Sequence, residues 1–389
     1  MTALYFHIPY CVRKCFYCDS CSVKVDRTAN VYANALIREI ALRKEDYPQE
    51  TATTVFFGGG TPTILPTDDL LRVMESANRA FPFASDAEIS IECNPGTATA
   101  ESLRKLRSAG FNRLSIGLQS MDDELLKRIG RVHNGSDFLR VFNEAREAGF
   151  TNINVDLMHG LPGQSIEQYL SSLNTVCDLN PEHISAYSLI LEEGTQLSED
   201  VKKGKEMLPD DDAVADMQDA GIDLLASRGY QRYEISNFAK KGFSCRHNLT
   251  YWNNGSYLGF GVASHSSMPV NNRWYRFADT ESISKYLKLI EKGRVPEAER
   301  FLINRFEQMF ETIMLGLRKT EGVNRKHFFE RFGCDLWEIY SEAVERTRNR
   351  GLLDESNSEF LRLNKRGLDL LNSVLLDFQE RNYWELLRS

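Results

Sequence analysis

The sequence predicts an α/β fold: a partial, open (β/α)6 barrel of the TIM type, a loop-rich extension, and a small α-helical, winged-helix-like C-terminal domain. Three observations predict it. Six short runs rich in β-branched and aromatic residues lie in the first half of the chain, longer amphipathic segments separate them, and the alternation stops near residue 200.

The strands are expected at LYFHI (4–8), TVFFG (54–58), EISIEC (88–93), RLSIGLQ (113–119), INVDLM (153–158) and HISAYSL (183–189). Helices are expected at NVYANALIREIALRK (30–44), TDDLLRVMESANRAF (67–81), SDFLRVFNEAREAG (136–149) and SIEQYLSSLNTVCDL (165–179). Strands that alternate with helices imply a parallel sheet, and largely apolar strands fit burial on both faces. Six units fall short of the eight that close a barrel, so the sheet stays open. This region spans 1–200.

The extension, 201–299, opens with an acidic helical stretch. Its block YEISNFAKKGFSCRHNLTYWNNGSYLGFGVASHSS is dense in aromatics, Asn and Gly, the composition of a binding surface. In 300–389 three helical patterns precede a turn-rich segment and a last helix, the order of a winged helix. From 301 to 389 there are 14 Lys+Arg against 15 Asp+Glu, so this domain lacks the basic footprint of a DNA reader. A net charge of −8 likewise argues against nucleic acid as a partner. No apolar run reaches the roughly 18 residues of a membrane span, and MTALYFHIPYC is not a secretion signal. The expected location is cytoplasmic.

In a reducing compartment, the loop CVRKCFYCDSC (11–21) reads as metal-binding rather than disulfide-bonded. Structural zinc prefers two short Cys pairs set apart by a loop. Cys11, Cys15 and Cys18, spaced C-x3-C-x2-C, fit one corner-sharing loop on a [4Fe–4S] cube better, with zinc as the alternative. Three thiolates leave one iron open to an exchangeable ligand. The loop follows the first strand, at the end of the sheet where barrel active sites assemble.

Other signals are weaker. Gly58-Gly59-Gly60-Thr61 after the second strand allows close backbone approach to a ligand, or is simply a flexible turn. Glu92, Asn94, Gln119 and Asp156 are polar groups at or near strand ends; each alone could be a hydrogen-bonded core residue. His247, taken alone, reads as a surface-loop histidine.

YFHIPYCVRKCFYC resembles the cluster loop of the radical S-adenosylmethionine superfamily. FFGGGTPT, EISIECNP, FNRLSIGLQS, GRVH, NVDLMHGLPGQ, ISAYSLILEEGT, YEISNFAKKG, RHNLTYW and GFGVASH extend the resemblance over nearly the whole chain. The branch they resemble contains oxygen-independent coproporphyrinogen III oxidase and its heme-chaperone relatives. The resemblance implies that Cys11, Cys15 and Cys18 hold a [4Fe–4S] cluster. It assigns Tyr5, Gly59, Gly60, Thr61, Glu92, Gln119, Arg131, Asp156, Ile190 and His265 to S-adenosylmethionine. Arg131 would fork onto the cofactor carboxylate and Asp156 would meet a ribose hydroxyl or a cationic group. Electron transfer from the cluster would cleave the sulfonium to a 5′-deoxyadenosyl radical.

Within the branch, the resemblance is to the heme chaperones. RHNLTYW is similar to their H-N-x-x-Y-W motif, which implies heme binding by His247 with Tyr251 and Trp252 against the macrocycle. The oxidases carry a further Cys where this chain has Ser20, and a longer segment before the cluster loop, so coproporphyrinogen oxidation is not expected. The implied function is a heme chaperone that hands heme to an acceptor protein. The alternative is a radical enzyme acting on a tetrapyrrole, an oxidase or a methyltransferase. Whether the acceptor is membrane-associated and whether the chain forms a homodimer are open at this point.

Overall fold

The structure is a computed structural model that describes residues 2–48 and 50–379. All six expected strands form: β1 (Thr2–Ile8), β2 (Ala52–Gly59), β3 (Phe83–Cys93), β4 (Arg113–Gln119), β5 (Ile153–His159) and β6 (His183–Ser188). Neighbours pair in parallel in chain order. Between them run α1 (Ala29–Asp46), α2 (Thr67–Ala80), α3 (Ala100–Ser108), α4 (Gly135–Glu147) and α5 (Ile166–Asp178).

Local chemistry starts these helices. Thr99, Asn134 and Ser165 each close a capping box with the third helical residue, satisfying two otherwise orphaned N–H groups. Along β1, β2 and β3, Leu4, Phe6, Ile8, Val55, Phe57, Ile89 and Ile91 join the hydrophobic core. Phe6 stacks between Phe57 at 4.7 Å and Phe260 at 4.8 Å, tying three adjacent strands into one core.

The aromatic-rich segment carries more regular structure than its composition indicates. After α6 (Asp211–Ser227), the short β7 (Gln231–Arg232) and β8 (Asn237–Ala239) extend the sheet beyond β6. Helix α7 (Arg246–Trp252) follows. Then β9 (Tyr257–Phe260) pairs in parallel with β1, and β10 (His265–Val270), β11 (Arg273–Asp279) and β12 (Glu297–Ile303) continue antiparallel from it. The order β12-β11-β10-β9-β1-β2-β3-β4-β5-β6-β8-β7 makes one twelve-stranded sheet. Strands β1 and β6 never meet, because β9 and β8 occupy their outer edges. The barrel is therefore open.

A buried ion network locks the extension to the first helix. Arg43 donates to Glu39 at 2.8 Å and to both carboxylate oxygens of Asp279 at 2.6 Å. Glu39 also accepts the N–H of Gly261 and the hydroxyl of Tyr286.

Residues 305–379 pack a second hydrophobic cluster around Ile313, Leu336 and Val374. It holds α8 (Arg305–Gly316), α9 (Arg325–Phe332), α10 (Ser341–Asn349), α11 (Leu371–Gln379) and a two-stranded ribbon, β13 (Val323–Asn324) with β14 (Phe360–Leu361). The last ten residues of the expected C-terminal region lie outside the described residues. Among the described residues, no helix is long and apolar enough to cross a membrane.

Candidate functional site

The barrel strands alternate. Outward residues such as Leu114, Ile116 and Leu118 join the core, while Arg113, Ser115 and Gly117 of the same strand face the barrel interior. The interior face is polar, and its carboxyl end opens into a cavity of about 240 Å³.

Cys11, Cys15 and Cys18 all border this cavity. Thr61 donates its hydroxyl to the Cys11 sulfur at 3.6 Å, and Arg131 Nη1 donates to that of Cys15 at 3.5 Å. Burial pushes the Cys18 thiol up. Cys21 is not among the lining residues; its Sγ points to the Glu281 carbonyl at 3.6 Å. Ser20 instead anchors the loop through its hydroxyl to the Gly59 carbonyl at 3.2 Å. His7 Nε2 donates to the Cys21 carbonyl at 2.9 Å and its Nδ1 accepts from Tyr5 at 3.2 Å, so one buried imidazole fixes the loop's return.

The glycine turn is sterically required. A Cβ on Gly60 would stand 2.7 Å from the Tyr10 carbonyl oxygen, and Gly59 has φ +109° with the His7 ring 2.7 Å from where its Cβ would be. Gly117 plays a similar part on β4, where a Cβ would meet Asn94 Oδ1 at 2.7 Å.

Arg131 is buried, with Nη2 donating to Asn94 Oδ1 at 2.7 Å and to the Gly117 carbonyl. Its Nε is buried and has no partner. A guanidinium with an unfilled N–H, beside three thiols and a glycine turn, fits an anionic group such as a carboxylate. Glu92 accepts the Gly59 N–H at 3.1 Å, and burial, with Asp156 nearby, raises its pKa to about 7. Burial also raises that of Asp156. Gln119 adopts φ +74° and accepts from the Tyr187 hydroxyl at 2.9 Å. These residues suit the cluster that the cysteine spacing favours and the cofactor that the family resemblance implies.

Glu92, Ser115 and Asp156 also wall a second chamber of about 250 Å³, deeper in the barrel. Tyr5, Phe56, Arg113 and Asn154 line it, and α7 brings His247, Asn248 and Tyr251 to it. Glu88 accepts the N–H groups of Arg246 and His247 at 3.0 Å each, a carboxylate placed at the helix N-terminus where the dipole favours it. His247 is 1 % exposed. Its Nδ1 bonds Thr54 at 2.8 Å and its Nε2 bonds Tyr251 at 2.8 Å, and burial lowers its pKa to about 3. The imidazole is neutral, with both nitrogens engaged. Trp252 lies outside the chamber, its ring under the Arg318 guanidinium at 5.5 Å.

The structure thus brings together the three cysteines, Gly59, Gly60, Thr61, Glu92, Gln119, Arg131 and Asp156. Tyr5 sits in the deeper chamber with His247 and Tyr251. Ile190 is 69 % exposed, and neither it nor His265 lines either space. Tyr17, Ser115, His133 and Tyr187 line the upper cavity without having been assigned from the motifs. Tyr17 was discoverable from its place between Cys15 and Cys18, and Ser115 from the alternation of β4.

The Radical SAM superfamily model matches residues 5–176 and the HemN C-terminal domain model matches residues 303–370. The chain is 38% identical over 360 residues to "Heme chaperone HemW" of Bacillus subtilis, covering 92% of this chain and 94% of that protein. It is 35% identical to the Escherichia coli protein of the same name, covering 96% and 97%. It is 34% identical to mouse "Radical S-adenosyl methionine domain-containing protein 1, mitochondrial", covering 96% and 86%. The solved structure of Escherichia coli coproporphyrinogen III oxidase (HemN) superposes with a TM-score of 0.83 over 97% of this chain and 89% of that one, at 24% identity, which shows a shared fold. The chain belongs to the radical SAM superfamily, in the family of the proteins named heme chaperone HemW.

Proposed function

We propose that the chain is a heme chaperone: it binds heme, holds a [4Fe–4S] cluster on Cys11, Cys15 and Cys18, and passes heme to an acceptor protein. S-adenosylmethionine would lie along Gly59, Gly60, Thr61, Glu92, Gln119, Arg131 and Asp156, with its carboxylate at Arg131. Ile190 and His265, outside the cavity, would reach it only at its rim. The observation that carries the reading is the relation to heme chaperones over more than nine-tenths of the chain, together with a histidine helix that forms the floor beneath the cofactor cavity.

Heme ligation at His247 has a structural cost. The chamber is about 250 Å³ and His247, on its wall, is 1 % exposed. Iron can reach Nε2 only after the Tyr251 hydroxyl leaves it and α7 withdraws from the barrel floor. Once withdrawn, Tyr251 and Trp252 supply aromatic faces on the same short helix.

A bound, reduced cluster would supply the electron that breaks the sulfonium carbon–sulfur bond. The protein's own part is to hold the cofactor's charged end at Arg131 and keep water from the cavity. The convergence of these side chains in one cavity favours a second reading, a radical enzyme acting on a tetrapyrrole.

Anaerobic reconstitution followed by heme titration of wild type and His247→Ala separates the two. Stoichiometric heme binding that weakens in the variant, without 5′-deoxyadenosine formation, supports the chaperone. Cofactor cleavage coupled to porphyrin turnover, with heme binding indifferent to His247, overturns it.

A further inference from the structure

The cofactor cavity and the His247 helix are joined by four successive hydrogen bonds. Asn154 Nδ2 donates to Asp156 Oδ1 at 2.7 Å, and Asn154 Oδ1 meets His183 Nδ1 at 2.5 Å. His183 Nε2 meets the Tyr233 hydroxyl at 2.7 Å, and that hydroxyl accepts the Cys245 N–H at 3.2 Å. Cys245 is the N-cap of α7. His183 is fully buried, and desolvation holds it neutral.

One proton order satisfies every link. Asp156 Oδ1 accepts from the Asn154 amide NH2, which leaves the Asn154 oxygen turned toward His183. His183 Nδ1 must then carry the hydrogen, which leaves Nε2 as an acceptor for the Tyr233 hydroxyl. The Tyr233 oxygen is thereby free to take the Cys245 N–H. All four donors point from the helix toward Asp156, which lines both cavities.

We infer that this chain couples the two sites, with Asn154, His183 and Tyr233 as positioning residues for the His247 helix. The inference rests on the heme and S-adenosylmethionine reading above. A ligand hydroxyl that donates to Asp156 favours its ionised form, a stronger acceptor, and each bond polarises the next. The helix is then held more firmly in the floor and His247 is less available to iron. S-adenosylmethionine and heme oppose each other, and because binding free energies are reciprocal, heme weakens the cofactor by the same factor.

The test is hydrogen exchange of the segment 245–252 in the anaerobically reconstituted full chain, with and without S-adenosylmethionine, alongside calorimetry that verifies cofactor occupancy. The expected result is exchange slowed about fivefold in wild type, the low end of ordinary couplings. In Tyr233→Phe and in His183→Gln the cofactor still binds and that slowing is lost. Two variants that break different links guard against one that simply misfolds, which thermal melts would reveal. Heme titration of the same samples should show about fivefold weaker binding with cofactor in wild type alone. Equal slowing in wild type and both variants, or none in wild type with the cofactor bound, overturns the coupling and leaves the two sites standing. Failure of wild type to bind the cofactor overturns the site reading and the coupling with it.

Discussion

The Nε2 of His247 lies 2.8 Å from the hydroxyl of Tyr251, one turn further along the same helix. The motif therefore contains both the nitrogen proposed above for heme iron and the group that covers it. Tyr251→Phe removes the cover and keeps the ring. One neutral hydrogen bond is worth about 1 kcal/mol, so the variant should lose about that much stability. It should also bind heme about fivefold more tightly. Denaturant unfolding and heme titration check the two halves, and weaker heme binding would contradict the role of Tyr251 as a cover.

Gly117→Ala tests the seat of Arg131. Its Cβ would stand 2.7 Å from Asn94 Oδ1 and 3.2 Å from Arg131 Nη2, so the fork must shift. Calorimetry should show S-adenosylmethionine affinity falling about tenfold, equivalent to about 1.4 kcal/mol, with far-UV circular dichroism unchanged.

Glu92 gives a pH signature. Its folded pKa, about 7, lies above the ordinary 4.5. A raised carboxyl contributes stability below pH 4.5 that is lost as pH rises through 7. Glu92→Gln does not titrate, so it should gain on wild type across that window, by at most ~3 kcal/mol because the side chain is only half-buried. Unfolding free energies at pH 5 and pH 8 give the difference directly, and parallel curves for the two proteins would refute it.

His159 shows the opposite slope. It is buried against Tyr169 with neither ring nitrogen bonded, and desolvation lowers its pKa to about 4. The unfolded chain takes up the proton from pH 6.5 downward, so stability present above that value is lost toward pH 4. His159→Phe should be as stable as wild type or more so at pH 7.5, and about 2 kcal/mol more stable at pH 5. Urea titrations at both values decide it.

Among the cysteines, Cys21→Ala should retain iron and sulfide after anaerobic reconstitution, because its sulfur faces the Glu281 carbonyl. Cys18→Ala should lose the cluster absorption. Loss of iron in both variants would place Cys21 among the ligands.

The barrel was legible because its strands are separate apolar runs bounded by capped helices; the expected 113–119 and the observed β4 coincide. The cysteine loop and glycine turn were legible as local patterns. What escaped was the inner face. Arg113, Ser115, Asn154, His183 and Ser185 recur at every second position in strands that read as apolar runs, and that period marks a polar interior. The strands β9 and β10 escaped because YLGF is short and HSSMPV is rich in small residues, and only pairing with β1 makes the first of them a strand. The burial of His247 could not be read locally, since Thr54, Glu88 and Tyr251, which enclose it, come from three separate segments.

The far end of α7 is gripped as well. Lys319 and Arg331 of the C-terminal unit donate to Asn253 and to the Asn254 carbonyl, and Thr312 of the same unit accepts from Asn254. A plug fastened at both ends leaves only when both fastenings let go. On the chaperone reading proposed above, an acceptor that pulled on the C-terminal unit would loosen one of them from outside, at a distance from His247. On that reading, release of the helix waits on the partner that unfastens its far end.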